Sequence, residues 1–104
     1  MTKLFNSKAD LENAFLERSI RRLRIGNKVF ILIKYKDHFH LVAGLCPHQK
    51  QPLDSGSLNA FGEIICPLHF YRFNLKSGRE ANNLCSDLEV YPLEINTSGV
   101  FTKI

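Results

Sequence analysis

Two short stretches of the chain carry side chains that bind metal: Cys46-Pro47-His48 and Cys66-Pro67-Leu68-His69, with residues 49–65 between them. Each offers one thiol and one imidazole. The order along the chain is Cys, His, Cys, His, unlike the Cys-Cys-His-His order of a common zinc finger. A single spacer makes it awkward for Cys46 and His48 to chelate the same small ion. Two metals bridged by sulfide remove that difficulty: one iron can take Cys46 and Cys66, and the other His48 and His69. Sulfide and thiolate are soft donors that hold iron in both its ferric and ferrous states. A single zinc ion on the same four side chains is the competing assignment.

Residues 45–79, LCPHQKQPLDSGSLNAFGEIICPLHFYRFNLKSGR, resemble the cluster-binding segment of Rieske proteins. In that form of the 2Fe–2S centre two histidines replace two cysteines on one iron. The resemblance is greatest to the small soluble Rieske-type ferredoxins and to the small subunit of assimilatory nitrite reductases. It covers about a third of the chain in detail, and the rest only in its rhythm of strands and turns. It implies one 2Fe–2S cluster per chain, with Cys46, His48, Cys66 and His69 as ligands. Two ferric ions, two sulfides and two thiolates sum to zero charge when the imidazoles are neutral. An all-cysteine centre is two charges more negative, so imidazole ligation makes electron uptake easier. The imidazole nitrogens away from iron can lose protons, which couples electron gain to proton gain.

The departures from the respiratory branch of that family bear on the potential. That branch is membrane-tethered, and it staples its two loops with a disulfide at positions matching Gln51 and Leu68. It also aims serine and tyrosine hydroxyls at the sulfurs from positions matching Tyr71 and Phe73. Here no staple can form, and Phe73 has no hydroxyl. Fewer hydrogen bonds to sulfur leave the reduced cluster less stabilised, which implies a potential toward the lower end of the roughly −150 to +300 mV Rieske range. Phe70 stands where the family usually has glycine. With Tyr71 it reads as apolar cover, or as part of a docking patch around exposed histidines.

A chain of 104 residues with 44 % hydrophobic residues is expected to form a single domain over residues 1–104. The start, Met1 to Asp10, has no signal-peptide apolar stretch. The longest purely apolar run, Val29 to Ile33, falls far short of the roughly 20 residues that span a bilayer. A cytoplasmic location with no membrane contact is therefore expected. Three cysteines in such a chain are not a disulfide framework, and Cys85 reads as a small half-buried residue. The net charge of +4 is densest at Arg18, Arg21, Arg22 and Arg24, without interleaved aromatics or a nucleic-acid motif. A solvated face is the plainer reading, and a docking surface for an acidic redox partner the alternative. His38 and His40 could share a face and a metal. With no third ligand nearby they read as exposed or strand-end residues.

The elements that must position the donors follow from pattern and punctuation. Residues 2–6 are compatible with a first strand. Asp10 to Arg18 has helical spacing with Leu11, Ala14 and Phe15 on one face, Leu16 less well placed, and Asp10 as N-cap. Strands are expected over residues 21–25, 29–36 and 39–43, with turns at Gly26-Asn27 and Asp37-His38. Residues 63–65 deliver Cys66, and residues 70–75 leave the second loop. Residues 82–87 form a loop, and residues 88–96 and 100–104 make a closing hairpin, with Pro92 at an edge or bulge. Such spacing indicates an all-β antiparallel sandwich or barrel. The resemblance sharpens this to a Rieske-like fold with a small cluster-binding subdomain inserted at about residues 45–79.

Three functions compete at this point. One is a soluble one-electron carrier passing electrons from a flavin reductase to an oxygenase or other redox partner. Another is the small redox subunit of a nitrite-reductase-like complex, bound to a large subunit. The third is a zinc-stabilised or cluster-free binding module. No nucleophile sits with a base, so the chain is not expected to be an enzyme on its own.

Overall fold

The computed structural model describes residues 1–16 and 19–103. It begins with β1 (Thr2–Phe5), α1 (Lys8–Asn13), β2 (Ile20–Ile25), β3 (Lys28–Tyr35) and β4 (His38–Ala43). A 3-10 turn at Leu53–Ser55 precedes β5 (Ser57–Leu58), β6 (Glu63–Ile65) and β7 (Arg72–Asn74). The chain ends with β8 (Val90–Tyr91), β9 (Leu93–Asn96) and β10 (Gly99–Thr102). The fold is the expected all-β antiparallel one. No described helix is long and apolar enough to cross a membrane.

The run Phe30-Ile31-Leu32-Ile33 of β3 is buried on both faces, the mark of a strand with cover on each side. It sits in the central sheet, of order β2-β3-β4-β8. On one face Phe30, Leu32 and Leu41 pack with Leu11, Phe15 and Val100, under α1 and the sheet β1-β10-β9. On the other face Ile31, Ile33 and Val42 pack with Leu53, Ile64, Phe73 and both Cys46 and Cys66. That second layer belongs to the sheet β5-β6-β7. Its strands lie in the excursion between β4 and β8, which are themselves paired through Leu41–Tyr91 and Val42–Val90.

Several boundaries differ from expectation. The helix is capped by Ser7, whose Oγ accepts from the Asp10 N–H at 3.1 Å, so Asp10 lies inside the first turn. A serine hydroxyl fits this role at an extended residue, and Ser7 has φ −157°. Regular helix stops at Asn13; Phe15 reaches the core from a final turn, and Leu16 is exposed. The β3–β4 turn is Lys36-Asp37 rather than Asp37-His38, with both residues at positive φ (46° and 65°), as a two-residue hairpin of matching twist requires. His38 is thereby the first residue of β4.

The single strand expected over residues 88–96 is split at Pro92, and its halves pair in different sheets, β8 with β4 and β9 with β10. Lacking an N–H, proline suits that changeover, and its carbonyl accepts from the Thr102 hydroxyl at 2.7 Å. The strand leaving the second loop is shorter than residues 70–75, because the left-handed backbone at Phe70 cannot join a ladder. Arg18 and Ile104, placed in the helix, the basic patch and the closing strand, lie outside the described residues.

Candidate metal centre

The backbone brings the first loop close to β3 at Gly44, whose N–H donates to the Val29 carbonyl at 3.0 Å. A Cβ at Gly44 would lie 2.6 Å from that same oxygen, so only glycine allows the approach. Beyond it the Cys46 N–H donates to the Gln51 carbonyl at 2.8 Å, and the Lys50 N–H to the Cys46 carbonyl at 2.7 Å. The second loop, delivered by β6, repeats the plan: the Cys66 N–H donates to the Tyr71 carbonyl at 2.8 Å. In each loop the fourth residue after cysteine turns the chain back through positive φ, Lys50 at 56° and Phe70 at 58°. Two loops of one design face each other.

Their donors divide by depth. Cys46 and Cys66 are each 1 % exposed, in the core between the central sheet and the β5-β6-β7 layer. Burial pushes the Cys66 thiol above its ordinary range. The Leu68 N–H donating to its sulfur pulls the other way, and the neighbouring sulfurs of Cys46 and Cys85 add to the rise. His48 is half-buried and His69 exposed, with ring centroids 5.6 Å apart. Among the described residues no three Cys, His, Asp or Glu side chains gather as one ion would require. Cys46 and Cys66 share one buried cluster, and His48 and His69 form a second pair nearer the surface. That donor set fits a sulfide-bridged pair of irons, with thiolates on the sheltered side and imidazoles on the solvent side.

The surroundings add detail that the sequence did not disclose. Tyr71 stacks on His48, with centroids 4.3 Å apart and planes 18° from parallel, and its hydroxyl lies 3.5 Å from His48 Nε2. Of the two adjacent aromatics, Tyr71 is therefore the one that holds a donor ring, while Phe70 is 73 % exposed. The only cue in the chain was an aromatic residue two places after His69. Cys85 is half-buried against the same core, and burial together with Cys46, Glu80 and Asp87 raises its thiol. His38 and His40 lie at the other end of β4 and do not join the donors. Arg21, Arg22 and Arg24 are exposed on β2.

The fold and the paired Cys-His loops define a Rieske protein. Residues 6–92 match the family model described as the Rieske [2Fe-2S] domain, and the chain belongs to that family; its cofactor is a 2Fe–2S cluster. One relative is the ferredoxin component of the alkene monooxygenase system of Xanthobacter autotrophicus, 34 % identical over 73 % of this chain. That match spans 62 % of the relative's own length. Ferredoxin CarAc of Metapseudomonas resinovorans is 30 % identical over 80 % of this chain and 78 % of its own. A chain in a solved complex of reduced oxygenase and oxidized ferredoxin in carbazole 1,9a-dioxygenase is 29 % identical, with TM-score 0.71 over 82 % of this chain and 88 % of that one. The ferredoxin of carbazole 1,9a-dioxygenase from Nocardioides aromaticivorans IC177 shares the fold, with TM-score 0.78 over 98 % of this chain and 97 % of that one at 20 % identity.

Proposed function

We propose that this chain is a one-electron carrier serving an oxygenase, with Cys46 and Cys66 holding one iron of its cluster and His48 and His69 the other. The observation that carries this reading is the division of the candidate donors: two thiols 1 % exposed, and two less buried imidazoles whose rings lie 5.6 Å apart. When bound, the 2Fe–2S cluster supplies reversible one-electron chemistry at a potential raised by its imidazole ligands. The chain's own residues do the rest. Ile64, Leu53 and Phe73 keep water from the thiolates, and backbone hydrogen bonds at Cys46 and Cys66 close the two loops. Tyr71 fixes the plane of the His48 ring. The exposed edge of His69 leaves a short path to a partner.

The relatives named as ferredoxin components of oxygenase systems support an oxygenase as acceptor. They favour a mobile carrier over a fixed subunit of a reductase complex. We take residues 1–104 as one unit, since β1 and β10 pair across its two ends. A cytoplasmic setting accords with three cysteines that are all unpaired.

The test is anaerobic reconstitution with iron and sulfide. Wild type and Cys85→Ser should show the visible absorption of the cluster and, after dithionite, the EPR signature of a mixed His/Cys centre. Cys66→Ser and His69→Ala should lack both. An unchanged spectrum in His69→Ala, or one zinc per chain in native material, would refute the assignment.

A further inference from the structure

At the end of the central sheet away from the metal centre, the β3–β4 turn, the turn before β6 and the turn after β7 enclose a second cleft of about 370 Å³. Three residues of β4, Leu41 to Ala43, separate its lining from the first loop, a distance of roughly 10 Å at strand rise. Its polar lining is Lys36, His38, His40, Asn74 and Lys76. Tyr35 and Phe61 form much of its apolar wall.

Among the described residues no carboxylate lines this cleft. The two acidic residues nearest in sequence are accounted for: Asp37 is outside the lining, and the Glu63 carboxylate accepts from Asn59 Nδ2 at 2.8 Å and lies 3.7 Å from Arg72 Nη1. Lys36 is held in the left-handed region, with its ammonium 5.4 Å from the centre of the Tyr35 ring. Cations gathered in a concave site without a neutralising partner make it attractive to an anion.

A directional donor is also available. The Asn74 carboxamide oxygen already accepts from the N–H groups of Lys76 and Ser77, so its NH2 is what it has left to give. Phe61, 78 % exposed, offers a ligand's apolar part a surface. Burial, with His38 and Lys76 nearby, holds the His40 imidazole below its ordinary range, and a bond to the Leu75 carbonyl partly opposes this. His40 therefore enters as a neutral wall.

We propose that this cleft binds a small oxyanion, a carboxylate or phosphate group carried on an apolar or aromatic body. The two ammonium groups attract the anion, Asn74 orients it, and Phe61 covers its body. Such a ligand bridges the β3–β4 turn and the ends of β6 and β7. It therefore ties the central sheet to the layer that carries the metal centre.

The test is a titration of the oxidised holoprotein with benzoate and, separately, with inorganic phosphate at constant ionic strength, followed by amide NMR shifts. Saturable shifts at Lys36, His38, Phe61 and Lys76 are expected with at least one probe. The dissociation constant should rise at least tenfold in Lys36→Gln/Lys76→Gln, with the visible spectrum unchanged. Saturation by benzoate alone assigns an aromatic carboxylate, by phosphate alone a phosphoryl group, and by both the shared oxyanion chemistry. No saturation with either probe, or equal affinity in the lysine double variant, overturns the proposal.

Discussion

His69 and Phe70, at the tip of the second loop, both have left-handed backbone, with φ of 66° and 58°. For a residue with a side chain this costs about 1–2 kcal/mol. Phe70 recovers little of it by burial, since its ring is 73 % exposed. Phe70→Gly should remove the strain while adding about 0.5–1 kcal/mol of unfolded-state freedom. The expected balance is a gain of roughly 0.5–1 kcal/mol, read from denaturant melts of the holoprotein. A less stable variant would mean that the ring supports the loop. If Phe70 is retained for contact with a partner, the same variant should also transfer electrons more slowly to the oxygenase proposed as acceptor. Phe73 bears on the potential: it is wholly buried and has no hydroxyl to offer a sulfur. A redox titration should place the midpoint toward the lower end of the Rieske range, and a value above about +100 mV would contradict this. At this scale type and spacing singled out four candidate donors, and the backbone places His48 and His69 with ring centroids 5.6 Å apart. Which of the two neighbouring aromatics would stack on His48 was not legible, because that depends on the reversed backbone at residues 69 and 70.

Between elements, Glu80 does what no sequence pattern announced. Its carboxylate, in a residue 1 % exposed, accepts from the N–H groups of Arg72 (3.3 Å), Asn82 (2.8 Å) and Leu84 (3.0 Å), tying the start of β7 to the turn that follows it. Burial alone would raise its pKa. The three N–H groups and the Arg72 guanidinium outweigh that and hold it below the usual carboxylate range. A folded value below the unfolded one stabilises the fold above the ordinary glutamate range. That contribution fades as the pH falls through it toward the depressed folded value. Glu80→Gln should cost about 2–3 kcal/mol at neutral pH, since a charged acceptor is lost from buried donors. Urea melts at pH 7 and near pH 4 should show the gap between wild type and variant narrowing in acid. An equal gap at both would mean that the charge plays no part. Glutamate is almost never buried unless paired, so nothing in the string Gly78-Arg79-Glu80 marks it out. The strands were legible wherever apolar runs met turn residues, as in Val29 to Ile33. The division at Pro92 was not, because it depends on two separate sheets meeting there.

Over the whole molecule, the central sheet separates two cores of different dependence. Among the described residues, the core under α1 and β10 is built from Leu11, Phe15, Phe30, Leu32, Leu41 and Val100 and includes none of the proposed donors. The other includes Cys46 and Cys66. The sequence hinted at this partition, since a continuous apolar run such as residues 29–33 implies cover on both faces. It could not say which face would carry the metal. Without iron, a buried thiol such as Cys66, already pushed toward its neutral form, stays protonated, and no disulfide joins the two loops. Local opening should then be confined to the donor side, because stability in a small domain is distributed by what each segment buries. Removing iron with a chelator should lower the melting temperature. In hydrogen exchange it should strip protection from residues 46–50 and 66–71, while Phe30 to Ile33 stay slow. The β5-β6-β7 ladder, whose register rests on pairs such as Ile64–Phe73, should lie between these extremes. Loss of protection throughout β3 together with the loops would mean that the two cores melt as one cooperative unit.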